Sequence, residues 1–170
     1  MRLAKFLLPG LMAWALAGCS TYHLGPANGA ISGEKSVEVM PFNNQTLHPW
    51  LGDAVTQALR ERLQSDGTYR LATSGQGDVV LTGVIHGYDR QALSYLNTDT
   101  TTPDNYMVNI IVHVIAKERA SGKVILDKEV KGHTLVHVSD DLASAERQAM
   151  PLLADDLSQN ITELLTEGAW

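Results

Sequence analysis

The chain has 170 residues, 44% of them hydrophobic, with 13 Lys or Arg against 19 Asp or Glu for a formal net charge of −6. That size supports one domain with a real core, and the acidic balance argues against nucleic acid as a partner, because nucleic-acid binders carry a basic footprint. A single cysteine excludes an internal disulfide, so packing alone must hold the fold.

The N-terminus is two kinds of sequence joined together. Arg2 and Lys5 supply early positive charge, Phe6 to Leu16 is almost wholly apolar, and Leu16-Ala17-Gly18-Cys19 follows directly. A charged start, a short apolar run and small residues before a cut site are the parts of a secretion signal. The apolar run contains Pro9-Gly10 and is well short of the roughly 20 residues that a spanning helix needs. Leu-Ala-Gly-Cys resembles the lipobox of bacterial lipoproteins, which implies cleavage before Cys19 and a diacylglyceryl group on its sulfur. Residues 1–18 are then a lipoprotein signal peptide and Cys19 is the lipidation site. The cut removes two of the 13 basic residues and none of the 19 acidic ones, leaving −8. Membrane affinity must then come from acyl chains, two or more for a stable anchor, and not from a polybasic patch. Ser20 carries a further implication of the lipoprotein resemblance. Gram-negative lipoproteins retained in the inner membrane typically have Asp at that place, so Ser implies the outer membrane.

Residues 19–34 read as the lipidated cysteine and a flexible tether, rich in Gly and Pro, spanning roughly 20 Å as a coil and about 50 Å fully extended. A single folded domain is expected over 35–170. Val37 and Val39 alternate with polar neighbours up to Pro41, a short strand, and Asn43 to His48 reads as a polar loop. Leu51, Val55, Ala58, Leu59 and Leu63 then fall at helical spacing, with Gly67 placed for a left-handed cap. Tyr69 to Ala72 is a short strand, and Asp78 to about Leu96 a longer one.

Asn97 to Asn105, rich in Thr and Asp, reads as an exposed loop. Tyr106 to Glu118 is the clearest strand: Tyr106, Val108, Ile110, Val112, Val114 and Ala116 make an apolar face. Met107, Asn109, Ile111, His113, Ile115 and Lys117 make a mixed one. Ala120-Ser121-Gly122 is a hairpin turn, and Val124 to about Val138 returns antiparallel. The last element is a helix capped by Ser139, with Asp140 and Asp141 at the positive end of its dipole. Its stripe is Leu142, Ala145, Ala149, Leu153, Leu157, Ile161 and Leu164, with a kink or restart expected at Pro151.

One apolar sheet face matched to two amphipathic helices predicts an α+β fold, with both helices packed on one face of a mostly antiparallel four- to five-stranded sheet. The mixed second face is either ordinary half-exposed sheet or a contact surface.

Catalytic motifs do not appear: there is no nucleophile elbow, Gly-rich phosphate loop or zinc-protease helix. No catalytic residue, cofactor or metal is expected. His86, His113, His133 and His137 fall on strands, and His133 and His137 stand about 13 Å apart at strand rise, too far to share a metal. Asp140-Asp141 and Asp155-Asp156 are accounted for by capping and solvation on a helix surface. The modestly basic stretch is the hairpin of Lys117, Arg119, Lys123, Lys128 and Lys131, the candidate contact for an anionic ligand such as phosphorylated lipid.

With these residues placed, the chain resembles the LptE family of lipopolysaccharide-assembly lipoproteins. The resemblance rests on Cys19 to Gly25, on Ser36-Val37-Glu38-Val39-Met40-Pro41-Phe42-Asn43-Asn44-Gln45-Thr46, on Leu63 to Leu71, on Asp78 to Ile85, and on Glu146-Arg147-Gln148-Ala149. Family members often read Cys-Gly-Tyr, where this chain inserts Ser20-Thr21 before Tyr22. The resemblance implies two helices on a four-stranded or similar sheet, an LptD outer-membrane β-barrel whose lumen the lipoprotein plugs, and lipopolysaccharide bound or passing beside it. It implies no catalytic residues. The strand-Pro-Phe-Asn start also occurs in other envelope lipoproteins, so a component of another envelope assembly or secretion channel is the alternative reading.

Overall fold

Three long strands form most of the sheet, and their alternation decides where the core lies. The computed structural model describes residues 33–97, 99–138 and 141–167. The signal peptide, Cys19, nearly all of the tether, and the expected cap residues Ser139 and Asp140 lie outside them. The elements in chain order are β1 (Ser36–Val39), β2 (Asn43–Asn44), α1 (Leu51–Asp66), β3 (Arg70–Leu71), β4 (Val79–Leu96), β5 (Asp99–Glu118), β6 (Val124–His137) and α2 (Leu142–Glu167). The sheet has six strands in the order β3-β1-β4-β5-β6, with β2 also paired to β4.

The α+β architecture is as expected, with one more strand. The extra strand is Asn43–Asn44, read from sequence as loop, which pairs parallel with Val84 and Ile85. β1 is parallel to both β3 and β4, as strands joined through a helix can be, while β4-β5-β6 is a long antiparallel meander. The larger correction concerns residues 97–105. Asp99 to Asn105 is strand, continuous with the rest of β5, so β4 and β5 form one long hairpin turning between Leu96 and Asp99. The polarity that suggested a loop comes largely from threonines, whose β-branched side chains favour extended backbone.

On the inner face, Val79, Leu81 and Ile85 of β4, Val108, Ile110, Val112, Val114 and Ala116 of β5, and Leu126, Val130 and Val136 of β6 are buried. The stripes of α1 (Leu51, Val55, Leu59, Leu63) and α2 (Leu153, Leu157, Ile161, Leu165) cover them. Each fully buried Leu or Ile contributes about 1.5–3 kcal/mol of transfer free energy. Leu165 takes the deep position at the end of α2, where the sequence stripe named Leu164, which is only partly buried.

Two local devices set the joints. Phe42, just after β1, donates its N–H to Thr56 Oγ1 at 3.0 Å, and its ring lies over Gly83, where any Cβ would collide with it. At the far end of α1, Gly67 adopts φ +74° and returns its N–H to the Leu63 carbonyl, which glycine does without a Cβ clash. In α2 the cap is Asp141, whose carboxylate accepts the Ser144 N–H at 2.8 Å. α2 runs through Pro151 without the expected restart. The Pro151 ring is exposed, so its clash with the preceding turn and the lost hydrogen bond fall on the solvent side. Among the described residues no helix is long and apolar enough to cross a membrane.

Candidate interaction surface

Both helices sit on one side, so the other face of the meander is open. Past the bulge between Ile85 and Gly87, the hairpin continues beyond the helix-covered region. Its inner face stays covered as far as Arg90, opposite buried Val108, and Ala92, opposite Tyr106; the four residues from Leu93 to Leu96 reach about 13 Å further at strand rise. β6 accompanies β5 only as far as Asn105, opposite His137. Asn105 also pairs with Ser94 of β4, so the two-stranded remainder of this ribbon is short; Tyr95 and Leu96 are 49% and 40% exposed on it, with Leu93 at 49% and Leu135 of β6 at 55% on the three-stranded base just below.

Polar side chains stiffen this ribbon from within. At its tip the Asp99 carboxylate accepts the Thr101 N–H at 2.9 Å and the Thr101 and Thr102 hydroxyls. These donors hold its pKa down to about 2. Lower down, the Ser94 hydroxyl donates to Asp104 and accepts from Asn105 Nδ2 at 2.7 Å, and the first of these depresses the Asp104 pKa. Asn105 Oδ1 contacts His137 Nδ1 at 2.9 Å.

The candidate basic residues are not brought together. Lys117 and Lys131 share the open face, but Lys131 lies opposite Ile111, six residues or roughly 20 Å along β5 from Lys117. Lys123 is exposed in the β5–β6 turn. Lys128 stands opposite Val114, in register with the helix-facing side, and is exposed at the sheet border. Arg119 is structural: its N–H and Nε donate to the carbonyls of Asp78 and Gly77, and its guanidinium pairs with Glu38.

Each strand histidine meets an acceptor: His86 Nε2 with Glu129 at 3.1 Å, His113 Nε2 with Asp127 at 2.7 Å and His133 Nδ1 with Asp156 at 3.3 Å, in addition to His137 with Asn105. No three metal-type side chains converge among the described residues. Asp156 does more than solvate its helix. It also accepts the His133 N–H at 2.8 Å, while Asn160 Nδ2 donates to the Lys131 carbonyl at 2.9 Å.

Where the ribbon leaves the core, Tyr88 and Glu146 form a half-buried acidic pair. Burial, then the charge of Glu146, pushes the Tyr88 phenol above its ordinary range. Arg90 Nη1 compensates Glu146 Oε1 from 3.3 Å, although no donor among the described residues is aimed at that oxygen. The ribbon and its apolar residues were not singled out from sequence. The signal that could have found them is the run of threonines between two strands, read as strand instead of loop.

Among solved structures, the fold is similar to a protein from Xanthomonas campestris (9% identity, 87% of this chain and 93% of that one, TM-score 0.59). It is also similar to a protein from Chlamydia trachomatis (13%, 80% and 96%, 0.56) and to a minor lipoprotein from Acinetobacter baumannii (14%, 78% and 93%, 0.52). At these identities the likeness is one of fold. The comparison with curated proteins finds no match. The family model for lipopolysaccharide assembly, LptE, matches residues 34–165. That span runs from just before β1 to the last turn of α2, and the chain belongs to the LptE family.

Proposed function

We propose that this chain is a non-enzymatic, lipid-anchored subunit of the outer-membrane machinery that assembles lipopolysaccharide. Signal cleavage before Cys19 leaves an acylated N-terminus, the tether holds the domain at the periplasmic side of the outer membrane, and the domain plugs the lumen of an LptD-type β-barrel. The observation that carries this reading, beside family membership, is the β4–β5 ribbon. Its two-stranded tip, beyond Ser94, is marginal by itself in water. Tip and base together carry Leu93, Tyr95 and Leu96 in the open, as a segment does that is completed by a partner. The open face behind it mixes His86, His113, Glu129 and Lys131 with Val84 and Ile111, a composition suited to the polar interior of a barrel.

Lipopolysaccharide binds, in this reading, through the cations of the open face, Lys117 and Lys131, with Lys123 at the turn. Among the described residues none of the three has a carboxylate within 4 Å. Lys131→Gln is expected to weaken binding to lipid A, and Lys128→Gln, on the other side, to leave it near wild type. Equal binding by both variants and the parent would remove the open face from the account. The test of the whole reading is affinity purification of the chain from detergent-solubilised outer membranes. A large β-barrel should come with it, and recovery of the chain alone would overturn the proposal.

A further inference from the structure

The described residues with the most exposed large apolar side chains are Leu47, at 97%, and Trp50, at 71%. Both belong to the stretch Asn43 to Trp50, which contains no Asp, Glu, Lys or Arg. An unbraced loop could fold these side chains down, but this one is tied at each side of them. Gln45 N–H donates to the Ile85 carbonyl at 2.9 Å. Asn44 Oδ1 accepts from the Thr46 N–H and hydroxyl, and Asn44 Nδ2 donates to the His48 carbonyl at 2.6 Å.

The His48 ring stacks on Tyr88 with centroids 3.7 Å apart. From His48 to Leu51 the chain makes a tight turn, Leu51 N–H to the His48 carbonyl at 3.3 Å, with Pro49 and then Trp50 (φ −84°, ψ −2°) in its centre, the geometry of a type I turn. Leu47 is therefore held at a rigid tip. Trp50 stands with Pro49, Ala143 and Met150 around a cleft that Glu146, paired with Arg90, and Arg147 also line; Arg147 is exposed and donates from Nη2 to Ser144 Oγ at 2.8 Å.

We infer that this tip is a bilayer contact: Leu47 and Trp50 enter the headgroup region of the inner leaflet, and Arg147 meets lipid phosphate. The inference rests on the proposed acylation of Cys19. Three observations favour lipid over protein as the occupant. The tip is uncharged and carries an indole, which prefers the water–membrane interface. The cation beside it suits phosphate. The anchor also reaches: Gly33 N–H bonds to the Thr68 carbonyl past the C-terminal end of α1, the tip lies at the other end, and a 16-residue helix is about 24 Å long. The stretch from Cys19 to Ser32 spans about 46 Å when extended. An anchored domain presents its tip at high effective concentration, so two side chains suffice for a contact too weak to recruit a free protein. The tip packs beside Tyr88, at the base of the ribbon.

The experiment uses the full mature lipoprotein carrying Trp170→Phe and reconstituted into vesicles of phosphatidylethanolamine and phosphatidylglycerol. Trp14 leaves with the signal peptide, so Trp50 is the reporting indole. Its emission should shift to shorter wavelength and be quenched by brominated phospholipid. Leu47→Ser, on an exposed tip that folding does not need, should weaken that quenching about tenfold in apparent contact equilibrium. An anchored protein whose Trp50 stays open to acrylamide and blind to brominated lipid would overturn the inference. So would quenching that appears only when a β-barrel is added, or a blue shift that grows with protein density in unbrominated vesicles, which would mean a second copy. A chain that stays soluble and never enters the vesicles overturns the acylation and the inference with it, and is told apart by the empty pellet.

Discussion

The two halves of the β4–β5 hairpin obey different rules. From Val79 to Tyr88 it is roofed by helices, its inner residues are buried, and its joints are shaped to single atoms, as where Phe42 occupies the space that Gly83 leaves. Beyond Ala92 the same strand leaves the roof, its register slips at several bulges, and Leu93, Tyr95 and Leu96 face water. The first half stabilises itself. The second is stiffened by Asp99, Ser94 and Asp104 but covers little of its own apolar surface. The contrast separates what the domain needs in order to fold from what it holds out to something else.

That contrast can be broken or sharpened by substitution. Ile110→Ala, at a fully buried position under α2, should cost about 2–5 kcal/mol in urea unfolding. Gly83→Ala should cost about 1–3 kcal/mol by overpacking. Adding Phe42→Leu should recover part of that loss, since residues in contact couple. By contrast, Leu93→Ser with Tyr95→Ser should change stability by no more than about 0.5 kcal/mol while abolishing co-purification with a barrel. A large stability loss from the ribbon pair would erase the distinction between the halves.

The smallest effect is electrostatic. Ser36 Oγ and N–H donate to Asp78 at 2.7 and 2.8 Å and hold its carboxyl below the ordinary 3.8. A depressed folded pKa contributes stability above the unfolded value and loses it as pH falls through the folded one. Asp78→Asn should therefore make the acid limb of unfolding shallower while leaving the ribbon's behaviour unchanged.

Much of the roofed half was legible in the sequence because burial imposes periodicity: Val108 to Ala116 alternates without a break, and Leu51 to Leu63 repeats at helical spacing. Gly67 was legible because its φ has few alternatives. The β4 side of the ribbon was legible as strand to about Leu96, but its β5 side was not, because a strand with both faces exposed has no buried face to enforce alternation, and Thr101, Thr102 and Asp104 then look like loop. Lys128 and Lys131, three residues apart on one strand, fall on opposite sides by alternation alone, but which of the two faces the helices depends on register with β5. The use of Arg119 as a brace was hidden for the same reason: Gly77 and Glu38 are distant in the chain. Asn43–Asn44 escaped because two residues carry no period.

The crossing of α2 over β6 has a consequence of another kind. A Cβ on Gly132 would come within 2.7 Å of Leu157 Cβ, so only glycine there lets the helix lie close enough for Asp156 and Asn160 to occupy the outward N–H of His133 and carbonyl of Lys131. β6 is the last strand of the sheet on that side, and exposed last strands template growth by addition of further chains. An incoming strand would have to displace both side chains midway along its length. An incoming copy thus meets an obstructed edge on this side, and a one-carbon change at residue 132 would put that obstruction at risk.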